Sequence, residues 1–460
     1  VTALAVTPVR GRADVTAFIR LPYAVYRDDP YWVAPLERER RAFLDPRRSP
    51  FHGIGTVQLF LARRGGQVVG RIAAIVDPRY NERHDPKCGQ FGLFECADDP
   101  EAAAELFDAA ADWLGERGLS RMLGPFSFST NDECGVLVDG FDGPPTMLMP
   151  HNPAYYPELF AGCGFSKAKD LLSWRVPMPP DGEPPAIVRR AADRALSAPG
   201  VRVRPLDPKR FDADLAAVKD IYNDAWAENY ASVPMTDREF EHTVRQLKPI
   251  IRPELLQLVE VHGEPAAFSL WLPDTNQALR AAHGRLTTCG VPTGLIRISR
   301  AGRRINRTRA VTVGIKKEHR NRGLTAAMFT QAQRAAFRLG YAESELSWIL
   351  EDNHHANRYA KAVGGILFRT HRLYERDPGA LRRALPAQAP SATAADAGPE
   401  PAHVTAHPTT PAPRPAGTLP RPETRGERTA TEAADGVAGG AQRPQSSAGG
   451  AVGGALGGEP

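Results

Sequence analysis

Cysteine is scarce in this 460-residue chain, and none of it falls in a pairing motif. Cys88, Cys96, Cys134, Cys163 and Cys289 are an odd number without a Cys-x-x-Cys spacing. That excludes a disulfide framework and a structural zinc, so no metal is expected, and it favours a reducing cytoplasm. No run of about 18 apolar residues occurs, so no spanning helix is expected. The start, "VTALAVTPVRGRADVTAF", has neither the apolar region nor the cleavage site of a secretory signal. Charge excess is small as well. The 58 Lys and Arg against 53 Asp and Glu leave +5, compatible with an anionic ligand but too little for a nucleic-acid-binding tail. In "LERERRAFLDPRRSPF" (Leu36 to Phe51) the arginines are interleaved with Glu37, Glu39 and Asp45. This reads as a solvated helix face, with transient contact to an anionic membrane surface, or contact to nucleic acid, as the alternative.

Aromatic residues are absent from the C-terminal stretch 386–460, which is rich in Ala, Pro, Gly and Thr. It cannot bury enough apolar surface to offset chain entropy and is expected to be disordered. A milder break, "PMPPDGEPP", opens an expected linker over 177–200. Between these breaks the sequence repeats a plan. "VQLFLARRGGQVVGRIAAIVD" and "LLQLVEVHGEPAAFSLWLPD" each read as strand, Gly-containing turn, strand. Each is followed by an Ala-rich amphipathic helix, "PEAAAELFDAAADWLGERGL" or "LTAAMFTQAQRAAFRLGY". Each half closes with a helix and a Gly-containing turn before another strand, in "HNPAYYPELFAGCGFSKAKDLLSW" and "EDNHHANRYAKAVGGILFRTHRLY". The expectation is a mixed α/β fold with a duplicated domain, 1–176 and 201–385.

The segment "VTVGIKKEHRNRGLTAAM" takes a strand, Val311 to Ile315, through a basic turn into a helix. Gly323 lets the backbone approach a ligand where helix N–H groups are free, and Arg320 and Arg322 could neutralise a diphosphate. Arg320, Asn321, Arg322, Gly323, Leu324 and Thr325 resemble the Arg/Gln-x-x-Gly-x-Gly/Ala loop of the GNAT superfamily of acyl-CoA-dependent N-acyltransferases. Thr325 departs from the small residue expected there, and Ala326 follows it. Asn353, Ala356, Gly364 and Gly365 in "EDNHHANRYAKAVGG" look like that family's second motif. The resemblance covers about Val201 to Arg376 and, more faintly, Val57 to Trp174. It implies two tandem GNAT-like domains, with acetyl-CoA or another acyl-CoA held by Val313, Gly314, Ile315, the loop residues Arg320 to Ala326, and Asn353. In the first copy "ADDPEAA" stands in place of the loop. Asp98, Asp99 and Glu101 would repel a diphosphate and suit helix capping. That copy is expected to be degenerate, serving as a structural or substrate-shaping partner.

The implied reaction is attack of an amine on the acyl-CoA thioester. An alkylamine is mostly protonated at neutral pH, so a proton acceptor is needed. Glu351 is the candidate base, with Asp352, His354 and His355 beside it; a capping or solvated role is the competing reading of these neighbours. Many members place a tyrosine where this chain has Ala360. Tyr359 is expected to point about 100° away on a helix, which leaves Tyr374 as the candidate acid. On the acceptor side Trp226, Tyr230, Met235, Asp274 and Asn276 are candidates, each with a packing or turn role as the alternative. Their apolar bias and the tandem layout imply a large or lipid-like amine acceptor. The rival expectation is a non-catalytic acyl-CoA-binding or scaffold protein. Acyl length, acceptor and oligomeric state are not readable.

Overall fold

The computed structural model describes residues 2–226, 229–287 and 290–377. The tail expected over 386–460 and the end of the second expected domain lie outside the described residues. Within them the chain lays down one order of elements twice. The first pass is β1 (Leu4–Pro8), α1 (Gly11–Val25), α2 (Glu37–Leu44), β2 (Thr56–Arg64), β3 (Gln67–Val76), α3 (Pro78–Arg83), β4 (Cys88–Cys96), α4 (Pro100–Gly115) and β5 (Arg121–Gly124). Three short strands, β6 (Phe126–Ser127), β7 (Ser129–Cys134) and β8 (Val136–Asp139), lead to α5 (Tyr156–Gly162) and β9 (Ser166–Pro177). Then come α6 (Ala186–Leu196), β10 (Val201–Pro205), α7 (Phe211–Ala225), α8 (Asp237–Leu247), β11 (Leu256–Val261) and β12 (Glu264–Pro273). The short α9 (Asn276–Leu279) and α10 (Thr293–Gly302) precede β13 (Arg307–Ile315), α11 (Leu324–Arg338), β14 (Glu343–Leu350), α12 (His354–Ala362) and β15 (Ile366–Arg376).

Local chemistry explains the repeated hairpins. Gly65 and Gly66 join β2 to β3, and His262 and Gly263 join β11 to β12; all four have positive φ, between +53° and +88°. Two left-handed residues in a two-residue loop give the turn whose twist matches paired strands.

Thirteen strands form one mixed sheet in the order β1-β2-β3-β4-β5-β15-β9-β14-β13-β12-β11-β10, with β8 pairing β15, while β6 and β7 pair separately. In each half the pairings are antiparallel until β4 meets β5, and β13 meets β14, in parallel. The two halves exchange their last strands. Strand β9 of the first pairs with β14 of the second, Trp174 opposite Leu346, while β15 of the second pairs with β5 of the first, Tyr374 opposite Gly124. The stretch expected as a linker carries α6, whose Val188, Ala192 and Ala195 are buried with Ala326, Ala332 and Ala336 of α11. Small side chains on both faces let these helices approach closely and burial favours the contact.

Candidate active site

The site begins with a strand pair that comes apart. Strands β13 and β14 are paired only from Arg307–Glu343 to Ala310–Leu346. On the other edge of β13, Leu270 pairs with Thr312 and Trp271 with Ala310, so Val311 is an extra residue in a bulge. A bulge bends its strand and increases the local twist. Beyond it, the β14-facing edge of Val311–Ile315 has no strand partner among the described residues. Into this opening runs a cavity of about 810 Å³, lined by both strands, by α7, α8 and α12, and by the turn before α11. That volume is within the range of small-molecule and cofactor sites.

One arm ends at the start of α11. Gly323, at φ +74°, is the residue before the helix. Among the described residues, none accepts from the N–H groups of Asn321, Arg322, Gly323, Leu324 or Thr325. Free amides at a helix start and the helix dipole make an anion site. Arg320 lines the same cavity and donates to the Ala225 carbonyl at 3.0 Å, which ties its guanidinium to the end of α7. A diphosphate fits this donor set.

The other arm is apolar. Leu215, Val218 and Tyr222 of α7 face Phe240, Val244 and Leu247 of α8 across it, over Leu256, Phe268 and Leu270 of the sheet. Thr236 caps α8 and Glu239 returns the bond to the Thr236 N–H, a capping box that fixes the helix start. Yet no residue of α8 is fully buried, although Phe240, Val244 and Leu247 recur at helical spacing. Their apolar stripe borders the cavity.

Most of the residues singled out in the sequence converge here. Val313, Ile315, Arg320, Asn321, Gly323, Leu324, Thr325 and Asn353 line the cavity, as do Trp226, Tyr230 and Met235. Trp226 stacks on Tyr222 at 5.5 Å, and Tyr230 lies under the Lys169 ammonium at 5.0 Å, its phenol pushed up to about 12 by burial. Arg322 and Ala326 belong to the same turn and helix but are not among the lining residues. Gly314 faces the core: an added Cβ would lie 2.7 Å from the Phe268 ring.

Four expected residues lie elsewhere. Glu351 is bound by the Lys167 ammonium at 2.6 Å and by the Asp170 N–H at 3.1 Å, outside the lining. Tyr374 is buried in the first-half core, stacked on Phe160 at 4.6 Å. Asp274 is fully buried, bound to Arg307 at 2.8 Å and to the Met147 N–H at 2.9 Å. Asn276 donates to the Pro145 carbonyl at 3.1 Å, beside a separate small pocket. A correction concerns Tyr359. It shares the cavity-facing side of α12 with Asn353 and Ala356, while Ala360 is buried in the core. Its hydroxyl is buried with no hydrogen-bond partner among the described residues, and burial holds the phenol well above its usual range. Asn353 caps α12, accepting from the Ala356 N–H at 3.0 Å. No carboxylate lines the cavity among the described residues; His355 contributes the imidazole of its lining.

The first half also contributes to the wall, through Thr130, Asn131 and Leu148. Thr130 Oγ1 donates to the Ala231 carbonyl at 2.9 Å and Asn131 to that of Val233 at 3.4 Å, pinning the irregular segment after α7. These residues carried no local sequence signal, because the contact is made across the exchanged halves. The equivalent opening within the first half is filled. Gly92 of β4 has no room for a Cβ because the Phe126 carbonyl lies against it. Behind it Glu95, its carboxyl pushed up by burial, accepts from Tyr26 at 2.8 Å and Tyr156 at 2.7 Å. At the start of α4, Asp99 accepts from the Ala102 N–H at 3.1 Å and binds Arg64, so this helix start already carries its own anion.

No family model matches the chain. It is 37% identical over 378 residues to the bacterial ceramide synthase of Caulobacter vibrioides, covering 81% of this chain and 97% of that protein. It is 33% identical over 370 residues to protein YghO of Escherichia coli K12, covering 80% of this chain and 93% of that one. Among solved structures, the GCN5-related glucosamine N-acetyltransferase region of a fungal multi-domain β-N-acetylglucosaminidase shares the fold. The TM-score is 0.51 and the identity 13%, over 82% of this chain and 38% of that one. The chain belongs to the family of these two bacterial proteins and has the tandem GCN5-related N-acetyltransferase fold.

Proposed function

We propose that the protein transfers an acyl group from acyl-CoA to the nitrogen of a long-chain, lipid-like amine. The observation that carries this reading is one cavity with two unlike ends: free amides and Arg320 at the start of α11, and an apolar arm between α7 and α8. The name of the Caulobacter relative supports it, since a ceramide is an amide of a long-chain amine. The diphosphate of CoA would sit on the N–H groups of Asn321 to Thr325, and the pantetheine along the unpaired edge of Val311–Ile315. A strand N–H on that edge would donate to the thioester oxygen as it gains charge. The amine nitrogen bonds to the carbonyl carbon, its proton passes to His355, and the carbon–sulfur bond breaks. Tyr359 donates its proton to the leaving thiolate.

Calorimetric titration with long-chain acyl-CoA tests the first step. Arg320→Glu is expected to weaken binding by about tenfold or more, as loss of a charged hydrogen bond costs about 1.5–3 kcal/mol. Equal affinity would remove the diphosphate assignment. Thiol release with a long-chain amine tests the second; binding without release would leave an acyl-CoA-binding protein.

A further inference from the structure

We propose that α10 and the residues just before it form a docking surface for an anionic membrane. Three large apolar side chains here stand in solvent: Val291 is 53% exposed, Leu295 56% and Ile296 47%. The seat of the helix explains why they do not turn inward. Gly294 is buried against the Arg285 backbone with no room for a Cβ, and the Leu295 N–H donates to the Leu286 carbonyl at 3.2 Å. With that side fixed inward, Leu295 and Ile296 project outward together with Ser299, Arg300 and Arg303.

The charge along this segment has one sign, the nearby Glu37 lying by Gly284 at the seat of the helix. Arg297, Arg300, Arg303 and Arg304 are all exposed, and among the described residues none has a carboxylate partner. Between Asp274 and Glu318 the sequence holds no Asp or Glu. An outward face with aliphatic residues at one end and arginines at the other suits the boundary of an anionic bilayer. There the aliphatic chains enter the acyl region and the guanidinium groups meet phosphates. A nucleic acid would be served by aromatic stacking partners, which this face lacks. The proposal stands on this surface alone and does not depend on the substrate reading.

Flotation of the full chain with vesicles tests it, comparing phosphatidylcholine alone with phosphatidylcholine containing phosphatidylglycerol. The chain is expected to float with the anionic vesicles and to be released by salt. Each arginine near such a surface contributes about fivefold in partitioning, about 1 kcal/mol. Arg300→Gln with Arg303→Gln is therefore expected to bind about 25-fold more weakly, and Leu295→Ser with Ile296→Ser at least about tenfold more weakly. Unchanged melting temperatures check that these surface variants fold; Arg297→Gln with Arg304→Gln replaces any that does not. A wild-type chain that stays with the soluble fraction overturns the proposal. So does either variant floating like the wild type, or equal salt-insensitive binding to neutral vesicles.

Discussion

The phenol of Tyr222 donates a 2.9 Å hydrogen bond to Oδ1 of Asn131, joining α7 of the second half to β7 of the first at the cavity wall. This bond makes the half without an anion-binding loop part of the site. In Asn131→Ala the buried phenol loses its acceptor, at a cost of about 1–3 kcal/mol. Denaturant unfolding is expected to show that loss, and KM for the amine is expected to rise while acyl-CoA affinity is unchanged.

Tyr359→Phe removes the proposed acid without breaking a bond, because the hydroxyl has no partner among the described residues. Stability is expected to hold or rise. Turnover is expected to fall by about a hundredfold or more, the range of general-acid contributions, with acyl-CoA affinity unchanged by titration. Full activity in this variant would mean that the thiolate leaves without help.

On the proposed function, the apolar arm sets the length of chain that fits. Val244→Trp on α8 would fill part of it. Substrates whose chains reach that point are expected to lose about 0.8 kcal/mol for each methylene displaced. Comparing kcat/KM over a series of chain lengths reads this as a shift towards shorter chains. An unshifted series would place the chain elsewhere.

His371 on β15 is buried with Nε2–H donating to the Pro150 carbonyl at 3.1 Å, and burial pushes its pKa from 6.5 to about 3. Between these values the unfolded chain binds a proton that the folded one does not. Stability therefore falls as pH falls from about 6.5 towards 3, by up to about 1.4 kcal/mol per pH unit from this group. His371→Gln is expected to flatten that dependence in unfolding measured at successive pH values. An identical slope would assign it to other groups.

The local plan was legible in the sequence and the long-range plan was not. Gly-containing turns, the Ala-rich helices and the Gly323 loop announce themselves within a few residues, since each follows from backbone conformation or periodicity. So did the capping role of Asp99 in the acidic counterpart of that loop. The exchange of β9 and β15 has no local signature, because an apolar strand reads the same whichever neighbour it takes. Tyr359 was read as turned away because the position of Ala360 was taken as the one facing the cavity. Ala360 is buried in the core, and Tyr359, one helical step round, lines the cavity. Glu351 was read as a base and Asp274 as an acceptor-side contact from their local sequence alone. Their partners, Lys167 and Arg307, are distant in sequence and only the fold brings them in.

The exchanged strands also impose an order of events on synthesis. When β9 leaves the ribosome, its neighbours β14 and β15 have not been made. Roughly 200 residues must be added before both are complete, on the order of ten to forty seconds at ordinary elongation rates. Throughout that interval the nascent chain presents unpaired strand edges on β5 and β9, a surface prone to pairing with other chains. The two halves differ in chemistry, one helix start having amides that no described residue accepts from and the other being capped by Asp99. They could not part in folding, because neither completes its sheet without the other's last strand.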